Sequence, residues 1–472
     1  MVKKLYVAGT VLFAFIACNK IDQRTEEPMD APTEWKASIQ ATKENDQTKA
    51  LSESGTTITA SWEIGDVVYI LSTNGNTEYG TMTAQSNGAS TTLTGTITKT
   101  MTVGKSYILR YLQKGQDYLY LVSQKGTLED IAKRHDISEA TVTVKSINDN
   151  VVSFEETVAH FESKISITKF TFDRTVKWVG IYSSNLKTYV QPGYSTNYSF
   201  ISLEPDSALQ TAYIAMSNKE DKKAVYSFLA KGTDGLYYVA TKKVQLENGK
   251  NYVTNVTLHA MPDYVDMGIQ RGGYSVCWAT RNLGAVCPSR SGNYYAWAET
   301  TPKTTYSWDE YPYGSYSWIT KYDPDRTDQG VVDGLSTLLP EDDAATVTLG
   351  SGWRTPNLVD FQDLLSTDKI DVLYAFAGAP IDNEGRWGYV FMSKVEGFAG
   401  KFIFLPRTGY YKDDAYTNNN YGYYWTNNID QTSWTSSSFA NTLYFTNSLY
   451  SSPSTSRMER AYGLPVRPVY LK

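Results

Sequence analysis

Histidine is nearly missing from this chain of 472 residues: His135, His160 and His259 are the only three, and none follows His259. A serine or cysteine nucleophile ordinarily works with a nearby base, most often histidine, and zinc takes Cys and His ligands at short spacing. Beyond His259 neither arrangement has its parts, which removes most hydrolase and zinc-enzyme chemistry from that region. Cysteine is equally scarce. Cys18, Cys277 and Cys287 are all there are, too few for a disulfide framework. The formal charge is −6 and no basic tract interrupts it, so nucleic acid is not an expected partner. No cofactor and no metal is expected either.

What the chain does have is unevenly placed. Trp35, Trp62 and Trp178 precede Met261, whereas Trp278, Trp297, Trp308, Trp318, Trp353, Trp387, Trp425 and Trp434 follow it. So abrupt a change in composition implies two kinds of module joined near Met261, the second folding separately. At the start, Lys3 and Lys4 precede an apolar run from Leu5 to Ile16. A bilayer-spanning helix needs roughly 20 residues, so the run reads as a secretory signal. Phe15, Ile16, Ala17 and Cys18 resemble a bacterial lipobox, which implies lipidation at Cys18 and an outer-membrane anchor. Residues 1–17 are then the signal peptide. The polar stretch 18–34 is a tether.

From Trp35 to about Ala260 the pattern is β. Runs such as DVVYIL, STTLTGTI, KSYILRYL, KISITKFTF, VKWVGIYS and AVYSFLA alternate or cluster β-branched and aromatic residues between turn residues, as in β-sandwiches. Gly104, Lys105 and Tyr107 recur as Gly249, Lys250 and Tyr252, a faint internal echo that generic turn chemistry explains nearly as well. The segment SWEIGDVVYI, with KGTLEDIA and HFESKISI, resembles the fimbrillin-like lipoproteins of the Bacteroidetes type. That resemblance implies two transthyretin-like β-sandwiches, over 35–160 and 161–260, and fimbrial subunits as partners.

The region 263–472 carries YVDMG, WATRNLGA, YYAWAET, EDDAA, WRTP, GYYWTN and PVRPV in order. These motifs resemble the Fibrobacter succinogenes major paralogous domain, which implies a compact α+β module of C-type-lectin-like or sulfatase-modifying-factor-like fold. The fold class expected is therefore mainly β, with two sandwiches followed by an α+β module.

Several stretches invite chemistry. Gly126 to Val144 reads like a helix-turn-helix, but the second helix would run into the strand pattern TVTVKSI and no basic face accompanies it; a short helix or loop at a sandwich edge is expected instead. Glu299, Asp309, Glu310, Asp342 and Asp343 are carboxylates among aromatics, as a glycosidase would need, although capping and surface roles are commoner. Asp323, Asp325 and Asp328 offer oxygen ligands without the rest of a calcium loop. Cys277 and Cys287 are candidates for a disulfide in an exported protein. Equally, they are small buried residues on separated strands.

The positive signal is aromatic. Tyr and Trp bring contact area with few rotors and a polar handle, which suits recognition surfaces. Trp308, Trp318, Tyr410, Tyr411, Tyr421 and Tyr423 are the candidate ligand-binding residues, while Trp278, Trp297, Trp353 and Trp425 are expected in the core. The reading is an exported, non-enzymatic surface adhesin or recognition lipoprotein, a fimbrial tip or accessory subunit, contacting a glycan or a host or bacterial surface protein. A structural pilus or stalk subunit and a carbohydrate-active enzyme are the alternatives.

Overall fold

The computed structural model describes residues 34–43, 52–54, 57–112, 119–190, 198–324, 331–417, 420–431, 436–447 and 451–472. The stretches expected to be signal peptide and tether, as far as residue 33, lie outside the described residues, as do Cys18, Asp325 and Asp328. The chain is mainly β.

In the first unit, hydrogen bonding runs through Val151–Phe154, Trp35–Lys43, Val158–Ser163, Ile137–Asn148, Ser106–Leu112, Val67–Leu71, Glu78–Ala84 and Ser90–Ile97 in that spatial order. Trp35–Lys43 also pairs with Ser90–Ile97, Trp35 opposite Ile97 through Thr42 opposite Ser90. Strand pairing therefore closes on itself. Its alternating strands, burying Ile39, Val68, Ile70, Leu109 and Val142, enclose one core. Trp62 is fully buried there, edge-on to Phe161 at 5.1 Å and to Tyr111 at 5.8 Å. The helix-turn-helix pattern resolves into one helix, Leu128–Arg134, capped by the Thr127 side chain and followed directly by the strand Ile137–Asn148.

The second unit is built on Ser166–Tyr182, a 17-residue strand that spans two of the runs distinguished in the sequence. Its first half pairs with Leu209–Met216 and, in parallel, with Asn251–Val256; its second half pairs with Phe200–Leu203 and Lys223–Gly232. The register slips between Thr171 and Val176. A strand that bends at such an irregularity can serve both layers of a folded sheet. The Gly-Lys-x-Tyr echo has a structural counterpart here. Gly104 and Gly249 adopt φ of 76° and 77°, and each following tyrosine hydroxyl accepts a backbone N–H from five residues upstream. Thr102 donates to Tyr107 at 3.0 Å and Glu247 to Tyr252 at 2.9 Å.

In the third unit, Tyr264–Arg271, Tyr274–Ala279, Val469–Leu471 and Trp353–Arg354 form one sheet, so its first strands meet its last. A second sheet comprises Gly422–Ile429, Phe439–Phe445 and Ser454–Glu459. The third, Ile370–Ala377, Arg386–Ser393 and Phe402–Pro406, is apolar on both faces. Tyr389, Phe391, Ile403 and Leu405 face this unit's own core. Their alternates Leu373, Ala375, Val390, Met392, Phe402 and Phe404 pack on Trp178, Tyr182, Phe200 and Leu229 of the second unit. Successive strand residues point to opposite sides, so a sheet buried on both requires unbroken apolar runs.

Of the four tryptophans expected in the core, Trp278, Trp297 and Trp425 are buried. Trp353 is only half-buried, because its two-residue strand lies at a sheet edge, beside the rings of Tyr264 and Tyr470. The considered disulfide is not formed. Cys277 and Cys287 are both free and buried; Cys277 lies on a central strand near the Ser275 carbonyl at 3.9 Å, whereas Cys287 sits in a loop 3.4 Å from Ser289 Oγ. Burial pushes the Cys277 thiol up to about 11.

Candidate ligand-recognition site

Two hairpins present the candidate aromatic residues. In Gly314–Ser315/Trp318–Ile319, Gly314 has φ of 109°, and a Cβ there would lie 2.0 Å from the Trp318 carbonyl oxygen. Only glycine permits the approach. The turn projects Trp318, which is 54% exposed, and its neighbour Tyr316, 43% exposed. Gly409, with φ of 56°, opens the other hairpin, Tyr410–Lys412/Ala415–Thr417.

From Tyr316 a strip of aromatic rings, bridged at one point by the Glu459 carboxylate, crosses the module. Tyr316 meets Trp308 edge-on at 5.9 Å, and the Trp308 indole N–H donates to Glu459 at 2.7 Å. The other Glu459 oxygen accepts from the Tyr462 hydroxyl at 2.9 Å, and Tyr462 stacks on Tyr410 at 5.7 Å. Tyr410 meets Tyr423, Tyr423 meets Tyr444, and Tyr444 stacks on Tyr421, with centroids 5.1–5.8 Å apart. Trp308, Tyr410, Tyr421, Tyr444 and Tyr462 are half-buried and Tyr423 is buried. Their inner faces rest on core while their rims remain open. Burial raises the hydroxyls of Tyr423, Tyr444 and Tyr462 above the ordinary tyrosine range, so at neutral pH they stay neutral hydrogen-bonding groups.

The six candidate residues are thus not on one surface. Tyr410 and Tyr411 are consecutive in a strand and face opposite ways. Tyr410 belongs to the strip, whereas Tyr411 packs against Tyr294 at 4.9 Å, Tyr416 at 5.4 Å and Tyr306 at 5.7 Å. There it lines a separate cleft of about 700 Å³, together with Arg290, Arg386 and Arg407. These arginines went unmarked in the sequence reading, being far apart along the chain. The segment FLPRTGYY, residues 404–411, contains Arg407 but gives no hint of its neighbours.

Of the candidate carboxylates, Glu299, Asp342, Asp343 and Asp323 are engaged structurally, while Asp309 and Glu310 are exposed. Asp343 accepts from Ala345 N at 2.9 Å, capping the helix Ala344–Leu349, and from the Thr355 hydroxyl at 2.7 Å; its burial raises its pKa. Burial would raise Asp342 also, but bonds from Lys321, Tyr322 and Tyr313 outweigh it and hold that carboxyl below its usual range. Glu299, raised by burial, pairs with Lys303 at 2.7 Å. Asp323 is buried and accepts from Ser437 at 2.7 Å. Among the described residues no cluster of His, Cys, Asp and Glu is arranged to hold a metal.

No protein-family model matches the chain, and no curated protein does. Among solved structures it is similar to the tip fimbrial protein Mfa3 from Porphyromonas gingivalis with C-terminal truncation, at 8% identity and a TM-score of 0.27, over 49% of this chain and 96% of that one. It is also similar to a fimbrial protein from Bacteroides ovatus, at 9% identity and a TM-score of 0.25, over 94% of this chain and all of that one. At these TM-scores the likenesses bear on neither the fold nor the activity.

Proposed function

We propose that the chain is a cell-envelope lipoprotein, anchored through Cys18, that acts as a non-enzymatic surface adhesin whose C-terminal module recognises a glycan. The observation that carries this reading is the aromatic strip from Tyr316 to Tyr421. Its rings are locked by mutual stacking and by Glu459, so little rotamer freedom is lost on binding. Its open rims and neutral hydroxyls suit the apolar faces and hydroxyls of sugars. The lectin-like reading of the module draws support from its motifs and from the meeting of its first and last strands. A place at a fimbrial tip, or as an accessory subunit, extends the fimbrillin resemblance of the first two units.

A glycan array probed with soluble full-length protein tests this. Trp318→Ala and Tyr410→Ala are each expected to weaken binding by about thirtyfold, the ~2 kcal/mol of a typical aromatic anchor. Trp318→Ala should leave the melting temperature unchanged, since the ring is mostly exposed. Unchanged affinity in both variants would overturn the reading, as would fibres containing the chain along their length and binding no ligand. A protein ligand captured on the same strip would replace the glycan.

The anchor has its own test. Cys18→Ser is expected to release soluble protein and to abolish incorporation of a fatty-acid label. A wild type that takes up no label refutes lipidation.

A further inference from the structure

The second face of the Tyr410–Lys412/Ala415–Thr417 hairpin is chemically unlike the strip. Arg290, Arg386 and Arg407 reach its cleft from separate segments, and none of the described lining residues is acidic. Other arginines pair with carboxylates, Arg110 with Glu139, Arg354 with Asp360 and Arg457 with Asp430, or, like the buried Arg460 and Arg467, spend their donors on several neutral acceptors. Among the described residues no carboxylate pairs with the three in the cleft. Arg386 donates to the Gly385 carbonyl at 2.7 Å, and Arg407 to the Asn420 side chain at 3.3 Å. Arg407 Nε is buried with no acceptor. Three like charges gathered without counter-charge repel one another, and an unmatched buried N–H adds a desolvation cost. An anion with two or more oxygens offsets both, because a guanidinium presents its donors as a planar fork.

Beside the arginines stands Tyr416, 47% exposed. Its hydroxyl donates to the Thr408 carbonyl at 2.8 Å and its ring meets Tyr411 and Tyr294, so the platform is held in place. The cleft volume is in the range of about 300–1,000 Å³ usual for small-ligand sites. We propose that this cleft binds an acidic saccharide, its carboxylate or sulfate on the arginines and its ring against Tyr416. The inference rests on the recognition reading above and gives it a ligand class and a second contact site. The protein's net charge of −6 opposes the general approach of acidic chains, which favours their binding at such a local cluster.

Soluble full-length protein carrying Cys18→Ser would be titrated calorimetrically with galacturonate oligomers, a sulfated galactose oligomer and a neutral galactose oligomer of equal length. At least one acidic oligomer is expected to bind about tenfold or more tightly than the neutral one, with affinity falling as salt screens the charges; the arm that binds distinguishes carboxylate from sulfate. Arg386→Gln with Arg407→Gln should abolish that preference. Arg290→Gln and Tyr416→Ala, checked for unchanged melting, should each weaken it if the half-buried Arg407 proves necessary for folding. Equal binding of acidic and neutral oligomers, or an acidic preference untouched by all these arginine substitutions, overturns the proposal. Neutral glycans bound through Trp318 without any acidic preference would sink this inference alone, whereas an array with no binding at all would sink the recognition reading with it.

Discussion

Residues 261–472, expressed without the preceding units, are expected to aggregate, and in the intact chain the second and third units are expected to unfold in one transition. The cause is the sheet buried on both faces. Leu373, Val390, Met392, Phe402 and Phe404 complete a core with Trp178, Tyr182, Phe200 and Leu229, and truncation leaves all five in water. At about 1.5–3 kcal/mol for each large apolar side chain, the loss is of order 10 kcal/mol, comparable with the roughly 5–15 kcal/mol that holds a domain together. Polar contacts tighten the seam. Lys231, nearly buried, is 2.8 Å from Asp382 and 2.6 Å from Glu384; Tyr237 donates to the same Glu384 at 2.6 Å, and Ser227 to the Gly400 carbonyl at 2.6 Å. Burial alone would lower the Lys231 pKa, but the two carboxylates outweigh it and raise it, so the ammonium stays charged. Lys231→Met would strand both carboxylates at the seam. Calorimetry on the intact chain, and light scattering on the fragment, decide the matter: a monomeric fragment with its own cooperative melt refutes the shared core.

That coupling bears on what the sequence disclosed. The break in tryptophan content at Met261 suggested a separable module, because composition reports what a segment contains and not what covers it. The contrary signal was present in Tyr389–Met392 and Phe402–Leu405, which are apolar at every position, where a half-exposed strand would alternate. The closed first sheet was legible as strands, since Val68, Ile70, Leu109 and Val142 alternate cleanly. Its closure was not, because the pairing of Trp35–Lys43 with Ser90–Ile97 spans a distance in sequence that no local pattern records. Among the candidate site residues, exposure of Trp318 follows from a glycine-opened hairpin, a local feature. The division of Tyr410 from Tyr411 follows from strand pleat, and recognising it required knowing that this segment was a strand. Arg290, Arg386 and Arg407 converge only through the tertiary fold. No spacing could have grouped them.

Arg460 and Arg467 are expected to be the most sensitive single positions in the third unit. Both are fully buried, and among the described residues neither is paired with a carboxylate. Arg460 donates to the Tyr311 hydroxyl at 3.0 Å and to the carbonyls of Ser437 at 2.9 Å and Lys321 at 3.0 Å, with its guanidinium 4.7 Å from the Trp297 ring. It thereby ties the loop before residue 324 to the turn at Ser437 and to the motif tryptophan. Arg467 donates to the Asn282 side chain at 2.8 Å, the Ala279 carbonyl at 3.0 Å and the Phe404 carbonyl at 2.9 Å, joining the first strand pair to the doubly buried sheet. Burial pulls the Arg467 pKa down to about 10, still well above neutrality, so the carbonyls face a charge. Replacing a buried ion by an apolar side chain is neutral only where its partners can also be dispensed with. Carbonyls cannot be removed, and each acceptor left unmatched costs about 1–3 kcal/mol. Arg460→Leu and Arg467→Leu are therefore each expected to lose roughly 4 kcal/mol or more, a size reserved for failures of buried networks. Arg467→Lys should recover little, since one ammonium cannot reach three acceptors that a planar fork spans. Denaturant melts of the full-length protein read the effect, and a loss below about 1 kcal/mol in both leucine variants would show that water or repacking satisfies those carbonyls without the guanidinium.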